Sequence, residues 1–330
     1  MTAQRDISGS RILVVGGAGL VGSHLVDLLV DEDVGEVVVF DNFVRGRRGN
    51  LAGALGSPKL RVVEGDIRDQ AALDAAMQGT DYVFHLAALW LLQCVEDPRA
   101  ALDVNVQGTY NVIEAAHRAK VKRVVYSSSA SVYGDMLENP MTEEHPLNNR
   151  TMYGMTKIAG EQMFRTFNET SKLDWVGLRY FNIYGPRQDY RGAYVAVMMK
   201  ALDRIDAGLP PIVYGDGSQS YDFIYVGDIA RANLAALKAG ADASDECFNV
   251  ASGTGTSIND LVKLLIELSG SSIQPEYRPA AQSFVSHRLA STAKAERLLG
   301  FTAETPLREG MRRLIEWRRE DINGGQRLAG

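Results

Sequence analysis

The chain has 330 residues, 45% of them hydrophobic and 23% charged, which suits an ordinary globular protein with room for two domains or one large one. Its 35 Lys and Arg against 41 Asp and Glu give a formal charge of -6. No basic cluster with interleaved aromatics tracks a phosphate backbone, so a nucleic-acid partner is not expected. Two cysteines, Cys94 and Cys247, make neither a disulfide framework nor a zinc spacing, and no stretch nears the roughly 20 apolar residues of a membrane span.

The first apolar run, RILVVG at 11–16, passes straight into glycines rather than into a signal peptide, so the expectation is a soluble protein of a reducing cytoplasm with no metal. A helical pattern follows at 22–32. Then come EVVVFD at 36–41, LRVVEGD at 60–66, a helix at 69–77, DYVFHLAA at 81–88, a helix at 105–119, RVVYSSS at 123–129 and WVGLRYFN at 175–182. Continuous rather than alternating hydrophobicity predicts strands buried on both faces. Strands alternating with helices predict an α/β fold with a doubly wound parallel sheet. After Asn182 the chain is punctuated by Gly and Pro, in YGPRQDYRG and AGLPPIVYGDGSQ, which reads as a second region built from insertions. ECFNVAS at 246–252 returns to the strand pattern before helices at 258–269 and 308–320.

GGAGLVG puts Gly16, Gly19 and Gly22 at a GxxGxxG spacing where the first strand opens into a helix, with Leu20 and Val21 between them. A tight turn, a close backbone approach and free amides at a helix N-terminus are what a dinucleotide pyrophosphate requires. Asp41 ends the second strand, nineteen residues beyond Gly22, and is followed by Asn42. A carboxylate there accepts both ribose hydroxyls and repels a 2'-phosphate, which favours NAD over NADP. Asp66 and Ile67 end the third strand, where an adenine would lie; helix capping is the other use of that position. In TMYGMTK at 151–157 the Tyr153 phenol precedes the Lys157 ammonium by four residues, so a helix sets both on one face.

With GGAGLVG, HLAAL, SSSASVYG, YGMTK and LRYFNIYGPRQ in this order, the sequence resembles the extended short-chain dehydrogenase/reductases. Among them it is most similar to the nucleotide-sugar epimerase/dehydratase family, especially UDP-sugar 4-epimerases, from about Arg11 to Gly300. The resemblance implies a Rossmann domain over 10–181 plus 225–255 and a smaller α/β nucleotide-sugar-binding domain over 182–224 plus 256–330. It also implies tightly held NAD, a UDP-sugar substrate, no membrane partner, and a homodimer formed through helices that include the one bearing Tyr153. By the same resemblance Tyr153 is the catalytic base, Lys157 its partner and Ser129 the hydroxyl assisting at the sugar. Leu86, Ala87, Ala88, Asn105, Ser127 and Tyr180 lie by the cofactor, and Asn182 and Tyr214 by the substrate. An ammonium and a positive nicotinamide near the phenol would favour phenolate.

Two departures narrow this reading. Tyr221 precedes Asp222 where the family carries a diphosphate-gripping arginine, and a phenol cannot supply a fork of charged donors, so Arg288 becomes the candidate cation. Ala130 and Ser131 follow Ser129 where dehydrating relatives carry an Asp/Glu pair and decarboxylating ones a glutamate, which leaves epimerisation as the expected reaction. A net oxidoreductase or dehydratase of the same family and a non-catalytic NAD sensor are the alternatives. For the sugar, a hexose (UDP-glucose or UDP-galactose) and a hexuronate (UDP-glucuronate or UDP-galacturonate) stand level. Arg191 is the residue that could pair with a C6 carboxylate, and Asp189 stands where some uronate epimerases have arginine.

Overall fold

The computed structural model describes residues 4–190, 197–280 and 287–328. In chain order its strands are β1 (Arg11–Val15), β2 (Glu36–Asp41), β3 (Leu60–Glu64), β4 (Tyr82–His85), β5 (Arg123–Ser129), β6 (Trp175–Tyr180) and β7 (Asn182–Tyr184). Then follow β8 (Ile212–Tyr214), β9 (Ser220–Tyr225), β10 (Glu246–Val250), β11 (Gly255–Ser257), β12 (Glu276–Arg278) and β13 (His287–Arg288). The helices are α1 (Leu20–Asp31), α2 (Gln70–Met77), α3 (Leu91–Glu96), α4 (Pro98–Ala101), α5 (Thr109–Arg118) and α6 (Met152–Ser171). Beyond them lie α7 (Val197–Asp206), α8 (Val226–Lys238), α9 (Ile258–Leu268), α10 (Ala293–Leu299) and α11 (Leu307–Leu328).

Seven strands form one parallel sheet in the order β10-β6-β5-β4-β1-β2-β3. These are the seven apolar runs of the sequence, and the absence of alternation in them now has its cause. One face packs on α1 and α8 through Leu25, Val26, Leu29, Ile229 and Ala236, and the other on α2, α5 and α6 through Leu73, Met77, Val112, Ala116 and Phe164. A strand covered on both sides has no polar face to show. The chain runs outward from β1 through β2 to β3, then returns to pair β4 against the other edge of β1, with Val15 opposite both Phe40 and His85. That reversal opens a crevice at the carboxyl ends of β1 and β4, where open α/β sheets bind ligands.

A second group of strands stands beyond those carboxyl ends. β9 pairs with β7, β11 and β13, while β8 pairs with β12. Met198 and Leu202 of α7, Leu261 and Leu265 of α9, and Met311 and Leu314 of α11 pack with Phe223 of β9 into a separate buried cluster.

One expected helix is not regular. The pattern at 105–119 reads as a single helix, but Leu102–Gly108 is wound as a π-helix that passes into α5. The buried Asn105 side chain accepts a hydrogen bond from the Leu89 amide at 2.7 Å and donates to the Leu89 carbonyl at 2.9 Å. Such wide turns inside helices occur frequently at functional sites.

Candidate active site

The crevice is one cavity of about 1000 Å³, at the upper end of the roughly 300–1,000 Å³ of ligand pockets. Its floor is the glycine turn. Gly16 has φ +82, and a Cβ on it would lie 2.6 Å from the Ala87 amide nitrogen; a Cβ on Gly22 would lie 2.3 Å from the Gly16 carbonyl oxygen. Backbone therefore meets backbone here, and no side chain fits. α1 begins at Gly19 with no side chain capping it, which leaves its first amides open to an anion. This cradle fits a dinucleotide diphosphate. Asp41, 7% exposed, accepts hydrogen bonds from the Ala18 amide at 2.9 Å and the Phe43 amide at 2.8 Å. Burial pushes its carboxyl above the ordinary carboxylate range, and the two amides pull the other way.

Leu20, Val21, Asn42, Ile67, Leu86, Ala87 and Ala88 line the same cavity. Asp66 does not. Arg68 grips it at 2.9 and 2.8 Å and Asn42 donates to it at 3.0 Å, which holds its carboxyl well below the usual range, and Arg68 lines the cavity instead. Asn105 is likewise set behind the wall, where it pins the loop at Leu89 and donates to Thr156 at 3.2 Å.

α6 brings Tyr153 and Lys157 to the wall beside Ser127 and Tyr180. It starts at Thr151, whose hydroxyl caps the Gly154 amide at 3.0 Å. Lys157 is 3% exposed and donates to the Ser127 carbonyl at 2.6 Å, with its ammonium 5.6 Å from the Tyr153 ring centre. Burial lowers it to about 8, against the raising influence of Cys94 and Glu161. The Ser129 hydroxyl acts on the Tyr153 phenol and pulls it down, and its oxygen accepts from the Ser131 amide at 3.1 Å, but Ser129 is not itself among the residues that line the cavity.

In the chain alone Lys157 is not among the groups that lower the Tyr153 phenol. Desolvation dominates and pushes the phenol up to about 12, with Ser129 and then Arg45 as the groups that lower it. The ammonium is spent on the Ser127 carbonyl, so it orients more than it acidifies. Poising the phenol at neutral pH needs a further positive charge, which an oxidised nicotinamide would carry.

At the far end Asn182, Tyr214, Gln219, Tyr221 and Phe223 line the cavity. Arg288 does not reach that lining: it pairs in register with Tyr221 on β13 and faces a small neighbouring cavity with Ser131, Gly134 and Asn149. Arg191 lies outside the described residues. Sequence reasoning missed Arg45 and Trp90. The Arg45 guanidinium lies 4.7 Å over the Trp90 ring and 3.9 Å from the Asp189 carboxylate, and Arg47 is 3.7 Å from that same carboxylate. Asp189 thus bridges the loop after β2 to the loop after β7. Two of the three arginines in VRGRR, Arg45 and Arg47, make that bridge.

The model of the NAD dependent epimerase/dehydratase family matches residues 12–251. A putative UDP-glucose 4-epimerase of Methanocaldococcus jannaschii is 36% identical over 310 residues, covering 93% of this chain and 97% of the relative. Among solved structures, a UDP-N-acetylglucosamine 4-epimerase of Methanobrevibacter ruminantium in complex with UDP-N-acetylmuramic acid superposes with a TM-score of 0.89 at 32% identity, covering 95% of this chain and 99% of that one. A UDP-glucose 4-epimerase of Thermotoga maritima with UDP-glucose does so with a TM-score of 0.87 at 32% identity, covering 94% and 99%. With its glycine cradle, its Asp41 and its Tyr153/Lys157 wall in one crevice, the chain belongs to the NAD dependent epimerase/dehydratase family.

Proposed function

We propose that this chain is an NAD-dependent UDP-hexose 4-epimerase whose Tyr153 moves the proton of the sugar C4 hydroxyl. The observation that carries the reading is the meeting of Tyr153 and the buried, Ser127-anchored Lys157 at one wall of the dinucleotide crevice, with the Ser129 hydroxyl acting on the phenol. NAD held in this cradle would supply a reversible hydride acceptor at the sugar C4, and an epimerisation would leave no net redox change. The chain's own groups do the rest. Ser129 holds the C4 oxygen, Tyr153 takes its proton and later gives it back, and Lys157 fixes the α6 face against β5. Gly16, Gly19 and Gly22 cradle the diphosphate of the cofactor and Asp41 holds its ribose. Asn182, Tyr214, Gln219 and Tyr221 line the nucleotide end, with Arg288 beside Tyr221, and residues 182–224 plus 256–330 act as the substrate-binding unit.

A hexose is favoured over a hexuronate by the state of the cavity's arginines. Among the described residues, Arg45, Arg68 and Arg187 line it, and each already faces a carboxylate, of Asp189, Asp66 and Asp27 respectively. No acid follows Ser129 to expel a hydroxyl, which supports epimerisation over dehydration. The purified protein is to be incubated with UDP-glucose, UDP-galactose, UDP-N-acetylglucosamine and UDP-glucuronate and the products read by NMR. Interconversion of UDP-glucose and UDP-galactose is expected. Conversion of UDP-glucuronate alone would overturn the hexose assignment, and stoichiometric growth of the reduced-nicotinamide absorbance would replace the epimerase by an oxidoreductase.

We also propose a homodimer through the α5 and α6 face. Leu102, Tyr110 and Met155 are exposed there at 43%, 39% and 36%, and Tyr110 packs edge-on to Phe167 with ring centres 6.0 Å apart. Tyr110→Glu would bury a carboxylate at that contact and is expected to raise the dimer dissociation constant about 100-fold, seen as a halved mass by light scattering. An unchanged mass would move the interface elsewhere.

A further inference from the structure

Beneath the reactive wall lies a buried polar network that the reaction itself does not call on. Glu161 sits on α6 four residues after Lys157, 1% exposed. Arg179 of β6, 3% exposed, grips it in a fork: its Nε donates to Oε1 at 2.9 Å and its Nη2 to Oε2 at 2.8 Å. Ser128 of β5 donates to the same Oε1 at 2.6 Å. The remaining Arg179 nitrogen donates to the Tyr133 hydroxyl at 2.9 Å and the Glu143 carbonyl at 3.0 Å, and Tyr133 donates to Asn249 of β10 at 2.6 Å. Every member is satisfied, and together they tie one helix to three adjacent strands.

The placement of Ser128 gives this network a functional meaning. Along a strand successive side chains face opposite ways. Ser127 supplies the carbonyl that holds Lys157 and Ser129 the hydroxyl that meets Tyr153, while Ser128 between them points down to Glu161. A slip of α6 by a fraction of an ångström along β5 would therefore break the Ser128 contact and both reactive contacts together.

We propose that Glu161 and Arg179 are positioning residues which, with Ser128, set the register of α6 on β5 and so hold Tyr153 and Lys157 at their Ser129 and Ser127 partners. This rests on the assignment of Tyr153 and Lys157 as the reactive pair. The same carboxylate also acts on charge. Lys157 is faced by Tyr153 and Glu161 from α6, Tyr126 from β5, His85 from β4 and Cys94 from α3, and Glu161 is among the groups that keep it protonated. Removing the carboxylate lowers the Lys157 pKa, so the alkaline limb of kcat moves to lower pH.

The decisive variant replaces the ion pair by an apolar pair, E161M/R179M, because buried pairs exchanged for packed apolar groups commonly keep the fold. Full-length protein loaded with NAD is to be measured beside E161Q and the conservative R179K. Expected for E161M/R179M are a melting temperature close to the wild type, a kcat lowered about tenfold or more with KM within about threefold, and an alkaline limb displaced downward by about half a unit. E161Q should move the limb the same way, and R179K should restore part of kcat. A purely structural pair would leave a folded double variant with wild-type kcat and limb, and that result overturns the proposal. A second readout needs no turnover. The Tyr153 phenolate, read as the ultraviolet titration difference between each protein and its Tyr153→Phe form, should titrate higher in E161M/R179M. No displacement there counts against the proposal whatever the substrate proves to be, whereas full activity of Tyr153→Phe alone would sink the functional assignment.

Discussion

Tyr153→Phe is expected to lower kcat by roughly 10²- to 10⁴-fold, the usual worth of a positioned acid or base, while NAD affinity stays within about threefold. The substitution removes one oxygen and keeps the ring, so α6 retains its Thr151 cap and its Lys157 anchor on Ser127. The chain alone holds the phenol at about 12. At pH 7 that leaves about one phenolate in 10⁵, too few for a base that must act on every turnover. The positive charge of the bound cofactor must therefore supply most of the downward pull, with Arg45 assisting. The acid limb of kcat in the NAD-loaded enzyme should lie several units below the phenol titration of the NAD-free protein, and it should vanish in Tyr153→Phe. A variant with wild-type turnover would show that another group moves the proton.

The sequence disclosed the sheet because its strands are buried on both faces, and hydrophobic runs such as RILVV and EVVVF admit few other readings. The glycine turn and Asp41 were visible for a related reason: both are local, within one strand, turn and helix. What stayed hidden depends on contacts between residues far apart in the chain. Asp189 meets Arg45 and Arg47 across more than a hundred residues, a bridge between two loops of the cavity wall that no local pattern discloses. Asp66 reads as an adenine contact or as a helix cap, yet Asp69 caps α2 and Asp66 is taken up by Arg68 and Asn42. Asn105 lies in a π-helical stretch that periodicity draws as regular, and its partner is a loop backbone sixteen residues away. Arg288 is the candidate cation by sequence, and only the pairing of β13 with β9 shows that it stands opposite Tyr221 and faces the small neighbouring cavity.

Asp41→Ala is expected to weaken NAD binding about 100-fold and to narrow the preference over NADP. In the folded chain Asp41 already accepts from the Ala18 and Phe43 amides, one oxygen each, so the carboxylate is fixed before any ligand arrives. Charge-assisted hydrogen bonds are worth about 1.5–3 kcal/mol each, and the loss of two to a ribose diol reaches the stated factor once water offsets part of it. The fold itself should lose about 2–3 kcal/mol, since two amides at the end of β2 are left to water. pH provides an internal control. Burial raises the Asp41 carboxyl above the ordinary range, so its charge is lost earlier on acidification than for an exposed aspartate. The neutral acid cannot accept from both hydroxyls and no longer repels a 2'-phosphate. NAD affinity of the wild type, followed by calorimetry, should therefore fall as pH drops through that raised value, while NADP affinity falls less. In Asp41→Ala both curves should be flat across the same window. A wild-type NAD affinity that does not change with pH there would mean that the ribose is held by other groups, and that Asp41 serves only the turn.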